Sequence, residues 1–133
     1  MNRRDFIAKS SLLAAAAVSP KLALASEASP KGSLALTAAD CAAKGELCLE
    51  HCMESLSSGS QKMAACAASV REMIIYCEAL SKAQARKSKR LKALAKLARE
   101  ACLECETECR KHEKMDVCKA CAEACADCAK QCL

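Results

Sequence analysis

Near the end of the chain, Cys118, Cys121, Cys125, Cys128 and Cys132 fall at alternating spacings of three and four. An α-helix turns once every 3.6 residues, so this progression sets all of these sulfurs on one stripe, the a/d seam of a helix packed against others. A strand, with its period of two, would scatter them over both faces. The same repeat runs upstream through Leu91, Ala95, Ala98, Cys102, Cys105 and Cys109, through Met63, Cys66, Val70, Met73, Cys77 and Leu80, and through Cys41, Gly45, Cys48 and Cys52. All 13 cysteines can therefore face one interior.

The breaks between seams set the elements. The spacing predicts a first helix over about 37–56, with Thr37 as N-cap and Asp40 three residues on, then a turn at Ser57-Ser58-Gly59-Ser60. A second helix is expected over 61–85, a third over 88–111 after a polar joint at Gln84–Ser88, and a fourth over 116–132, capped by Asp116. No stretch alternates with period two. Four helices with short joints favour an all-α, antiparallel, up-down-up-down four-helix bundle with a cysteine-lined core. With one Tyr, one Phe and no Trp, Ala, Leu and sulfur must fill that core.

Residues 1–25 read as an address. Asn2-Arg3-Arg4-Asp5-Phe6-Ile7 places paired arginines before the apolar stretch Leu12–Val18, Pro20 breaks the run, and Ala23-Leu24-Ala25 offers small residues for cleavage. The pattern fits a twin-arginine signal peptide, hence export to a bacterial periplasm and a mature chain beginning near Ser26; an ordinary secretory leader is the alternative. The stretch is well short of the roughly 20 residues that span a bilayer, so a soluble mature protein is expected. Residues 26–36 read as a flexible arm and 37–133 as the bundle. Arg3, Arg4, Lys9 and Lys21 against Asp5 account for most of the net charge, which falls from +5 to +2 without the leader. Nucleic acid is therefore an unsupported partner, and Lys87, Lys89, Arg90 and Lys92 are expected to form a solvated face.

The thiols have three readings. Free cysteine packs as a small hydrophobe, yet 13 of them in an exported chain would meet an oxidising compartment. Disulfides within a helix are strained, because i,i+4 Cβ atoms stand about 5–6 Å apart and a disulfide wants about 3.5–4.5 Å. Bridges between helices stay open, with an odd thiol left over. Metal binding uses the whole set. Buried thiolates are prohibitively costly unless their charge is compensated. Three four-cysteine zinc sites would remove about six of roughly thirteen charges. Cu(I), satisfied by two or three bridging sulfurs, brings the core close to neutral at about one ion per cysteine.

Pairs such as Cys48/Cys52, Cys105/Cys109, Cys121/Cys125 and Cys128/Cys132 could each clasp an ion between successive turns. No C-x-x-C-H occurs for haem attachment, and the fourth seam departs from the ferredoxin pattern. The C-x-x-C pairs at Cys102, Cys118 and Cys125 lack the βαβ context of a thioredoxin-like enzyme, and no catalytic constellation is present. An exported thiol redox or scavenging protein, and zinc or cadmium sequestration, are the competing readings.

Cys41-Ala-Ala-Lys-Gly-Glu-Leu-Cys48-Leu-Glu-His51-Cys52, Met63-Ala-Ala-Cys66, Cys77-Glu-Ala-Leu80 and Cys118-Lys-Ala-Cys121-Ala-Glu-Ala-Cys125-Ala-Asp-Cys128 resemble the exported bacterial copper storage proteins of methane-oxidising bacteria. The likeness spans about residues 38–132, irregular gaps included. It implies a four-helix bundle, often a homotetramer, that takes part in copper homeostasis. Such a bundle holds many Cu(I) ions on core cysteines and releases them to copper-requiring enzymes or a copper chaperone, with no enzymatic turnover. A His and several Met line the open end in that family. His51 and Met63 match such positions, whereas Ser55 and Ser58 stand where methionines occur in the family.

Antiparallel order gathers Cys52, Cys66, Cys109 and Cys118 with His51 and Met63 at one end, a candidate metal mouth. The other end gathers Leu80, Leu91, Leu94 and Cys132, an expected apolar plug. His51 reads either as an exposed helix residue or as a weak copper ligand, and Met63 either as core filler or as a ligand. His112, three residues after Cys109, with Met53 and Met115, are further candidates near the same end.

Overall fold

The computed structural model describes residues 33–133, so the leader and the arm up to residue 32 lie outside the described residues. The helices are α1 (Leu34–Ser57), α2 (Ala64–Ala85), α3 (Leu91–Arg110) and α4 (Asp116–Gln131). Each packs on its neighbours in sequence and α4 closes on α1, while the diagonal pairs, α1 with α3 and α2 with α4, meet through cysteine side chains across the axis. The section is thus a square with its core along the axis. Gln131 Nε2 donates to Thr37 Oγ1 at 2.9 Å, and Ser81 Oγ donates to the Ala35 carbonyl at 2.7 Å. The ends of α2 and α4 therefore meet the start of α1, which fixes the antiparallel order. No described helix is long and apolar enough to cross a membrane.

Helix boundaries differ from the sequence reading in ways that have local causes. Thr37 is not the cap of α1. Ser33, in extended backbone, accepts from the Leu36 N–H and opens the helix at Leu34, inside what reads as the arm. Thr37 spends its hydroxyl on Gln131 instead, and Leu34 packs against the core. Residues 61–63 and 88–90 form tight turns before α2 and α3, with the Ala64 N–H on the Gln61 carbonyl and the Leu91 N–H on the Ser88 carbonyl. Met115, also extended, holds the cap position of α4. Asp116 is the first helical residue, where its carboxylate faces the positive end of the helix dipole.

Both α1 and α2 end by folding a later N–H back over the last turn, Ser60 onto the Ser55 carbonyl and Ser88 onto the Ala83 carbonyl. That closure needs one left-handed residue. Gly59 supplies it for α1 (φ 90°) and Lys87 for α2 (φ 52°).

The core is built from sulfur and small side chains. All the cysteines are buried, framed by Ala38, Ala42, Ala67, Ala98, Ala122 and Ala129, with Val70, Met73, Ile74 and Leu80 as the larger hydrocarbon. Among the described residues no polar or charged residue is buried. The ion pairs, such as Lys44–Asp40 at 2.9 Å and Lys111–Glu108 at 2.7 Å, join neighbours on exposed helix faces. Pairs of that kind contribute about 0.3–0.5 kcal/mol each, so the packed interior holds the bundle.

Gly45 lets α1 and α2 approach closely. A Cβ there would stand 2.6 Å from Met73 Cε and 2.9 Å from Ile74 Cγ1. Replacing Gly45 by Ala should gain about 1 kcal/mol in helix propensity and lose about 1–3 kcal/mol to overpacking. Denaturant unfolding of the reduced, metal-free protein is expected to show a net loss near 1 kcal/mol; a stabilised Gly45→Ala variant would mean the two helices have room to spare.

Candidate metal centre

The helical period aims every seam at the axis, and the square section brings four seams within reach of one another. Three sulfur clusters result, with Sγ atoms within 4.8 Å of each other: Cys41/Cys77/Cys102/Cys128, Cys105/Cys121/Cys125 and Cys48/Cys66/Cys109. The first is tied by Cys77 to Cys102 at 3.4 Å and to Cys128 at 3.9 Å. Cys41 reaches Cys125 at 3.6 Å, joining the first cluster to the second. Cys105 meets Cys109 at 3.9 Å, joining the second to the third. Cys48 then meets Cys118 at 3.7 Å. The result is a continuous file of sulfur along the bundle, with Cys52 beside Cys66 at one end and Cys132 beside Cys128 at the other. The structure holds all of them as free thiols.

The spacing suits a soft ion. An ion bonded to three sulfurs at about 2.3 Å sits in a triangle about 4 Å on a side. In Cys48/Cys66/Cys109 the sides are 3.9, 3.9 and 3.5 Å. Of the expected i,i+4 pairs, Cys105/Cys109 stands at 3.9 Å; the shorter contacts cross between helices. A helical wheel fixes a sulfur's angle about its own axis, whereas the nearest sulfur depends on axial register between helices.

Burial and crowding set the proton affinities. The Cys52 thiol is pushed from the ordinary 9.0 up to about 12, first by burial and then by charge on Cys66. Burial likewise raises Cys118. Inside the clusters some sulfurs take the charge while their neighbours keep their protons. Hydrogen bonds from Cys109 and then Cys48 hold Cys66 down at about 3, with a smaller contribution from His112. Cys109, which bonds Cys105, Cys121, Cys48 and Cys66, stays far above the ordinary thiol range. Cys102 is held at about 5, first by Cys125, whose own thiol is raised. The clusters thus offer an ion some sulfurs that favour the thiolate, Cys66 in one and Cys102 with Cys128 in another, beside thiols such as Cys109 that hold their protons.

The two ends of the bundle are unlike. Met63 is buried at the start of α2, while His51 is half-buried on α1. His112, in the turn after α3, is the histidine whose charge acts on Cys66. Its position three residues beyond Cys109 was the available signal. At the other end Leu80 is fully buried, but Leu91 and Leu94 are partly exposed. A cleft of about 540 Å³ opens there, lined by Leu34, Leu91, Lys92, Arg99 and Cys132 among others. Cys132 is 8% exposed where every other cysteine is at 0%. Among the described residues the hydrocarbon plug is therefore incomplete.

The raised thiols make the metal-free fold sensitive to alkali. In the unfolded chain Cys52 loses its proton near 9.0, whereas the folded protein holds it to about 12, so its contribution is present below pH 9 and lost as pH rises toward 12. The Tm of the reduced apo protein should fall across that window and fall less steeply in Cys52→Ala. Identical pH profiles for the two proteins would contradict this.

Comparison with known proteins agrees with the geometry. The family model for copper storage proteins matches residues 28–133. Among solved structures, the Cu(I)-bound copper storage protein BsCsp3 superposes with a TM-score of 0.67 at 33% identity, over 74% of this chain and 91% of that one. No curated protein matches the sequence. A match that takes in all four helices leaves one assignment: the chain belongs to the copper storage protein family.

Proposed function

We propose that this protein stores Cu(I), holding many ions along the sulfur file and giving them up to copper-requiring enzymes or a copper chaperone. One observation carries the reading: among the described residues the core has no buried basic or polar residue to balance its thiolates. Compensation must arrive with the cargo. A monovalent ion shared by two or three sulfurs supplies about one positive charge per thiolate, where zinc in four-sulfur sites supplies half as much. The ligands proposed are Cys41, Cys48, Cys52, Cys66, Cys77, Cys102, Cys105, Cys109, Cys118, Cys121, Cys125, Cys128 and Cys132, all of them buried. Holding and releasing ions requires no turnover, and no enzymatic role is proposed.

Anaerobic titration of the reduced protein should saturate at about one Cu(I) per cysteine in competition with a chelator. Saturation at three or four zinc ions, with weaker copper uptake, would favour zinc sequestration. Disulfide formation that reverses with a thiol partner and leaves copper unbound would favour the redox reading.

Entry and exit are proposed at the end that holds Met63, His51 and His112. Neutral thioether and imidazole hold Cu(I) less firmly than bridging thiolates, which suits transfer. Ala at both His51 and Met63 should alter the rate of copper removal by a chelator and leave capacity nearly unchanged. If that variant exchanges at the wild-type rate while Cys132→Ser slows exchange, traffic runs through the distal cleft. Export is proposed on the paired arginines of the leader; recovery of a periplasmic form beginning near Ser26 would support it, and a cytosolic form retaining Arg3 and Arg4 would count against it.

A further inference from the structure

We infer that Met73 is an interior copper ligand, forming with Cys41 and Cys125 a mixed thioether–thiolate Cu(I) site at the junction of two sulfur clusters. The inference rests on the storage function proposed above and adds a donor of a different kind to it. Met73 Sδ lies 3.4 Å from Cys41 Sγ, and Cys41 Sγ lies 3.6 Å from Cys125 Sγ. Cys41 belongs to the cluster with Cys77, Cys102 and Cys128, and Cys125 to the cluster with Cys105 and Cys121. Met73 therefore stands where an ion passing between the clusters changes partners.

The side chain is fully buried, unlike Met53 and Met115, which are 50% and 43% exposed. It occupies the level of the bundle at which α1 presents Gly45 in its seam. A Cβ on residue 45 would come within 2.6 Å of Met73 Cε, so the missing side chain is the space that the methionine's methyl group fills. With the methyl seated against Gly45, the sulfur is turned toward Cys41. A side chain serving only as filler needs volume there and has no use for sulfur at this distance.

The chemistry suits the position. An ion entering here takes the place of one proton, the Cys41 and Cys125 thiolates being shared with ions of their own clusters, while the thioether coordinates without losing a proton or adding charge. The separations of 3.4 and 3.6 Å fall a few tenths short of the roughly 4 Å side of a three-sulfur site. Rotation about the three flexible bonds of the methionine can open them. A neutral donor between two thiolate clusters gives an ion a third ligand when one bridging thiolate lets go.

The test is selenium-edge X-ray absorption on selenomethionine-labelled protein, reduced and loaded with Cu(I), in a Met63→Leu background that removes the methionine at the mouth. A copper neighbour at bonding distance from selenium is expected, and its loss is expected in the Met63→Leu, Met73→Leu protein while copper per chain stays within about one ion. A loaded protein without a selenium–copper path, or a path that survives Met73→Leu, overturns the inference and leaves the storage function standing. A protein that takes up no copper overturns both. Should Met73→Leu fail to fold, the presence or absence of the path in a Met53→Leu, Met63→Leu, Met115→Leu protein, which keeps Met73 as its one methionine among the described residues, still decides.

Discussion

Charge compensation inside a dry core is the constraint on which this structure turns. A buried thiolate without a counter-ion is strongly disfavoured, and the bundle buries 13 thiols with no buried basic residue beside them among the described residues. Protonated, the sulfurs are ordinary small core residues and the fold can exist before any metal arrives. Deprotonated, they need one positive charge each. The same interior is thus stable in two compositions, thiol and copper thiolate, and exchange between them is the function proposed.

Everything else serves the file of sulfur. Alanine and cysteine in the seams let the helices come close enough for sulfurs on different helices to meet at 3.4 to 3.9 Å. Polar cross-links at the distal end, Ser81 to Ala35 and Gln131 to Thr37, hold three helices in register without placing a polar group in the core. Proton affinities then divide the clusters into thiols ready to bind, such as Cys66 and Cys102, and thiols such as Cys109 and Cys125 that yield only when an ion lowers the cost.

Much of this was legible in the residues. The 3-4-3-4 spacing from Cys118 to Cys132 admits one secondary structure and one buried face, and the burial of every cysteine follows from it. Features set by contacts across the fold were less accessible. Thr37 and Ser33 are both acceptable caps locally, and a bond from Gln131, 94 residues away, takes the Thr37 hydroxyl out of contention. The pairing of Cys41 with Cys125 depends on how far one helix is shifted along another, which no single seam records. Met73 sits on its seam in the sequence, but the turn of its sulfur toward Cys41 depends on the room left at Gly45.

Proton release during loading tests the central claim most directly. If copper replaces protons to keep the core near neutral, reduced protein held at constant pH should release an average of about one proton per Cu(I) from the first ions to saturation. The earliest ions should release somewhat less, because Cys66 and Cys102 already favour the thiolate. Release of about two protons per ion, or capacity reached with most thiols still protonated, would show that the core carries its charge in some other way and would contradict the account.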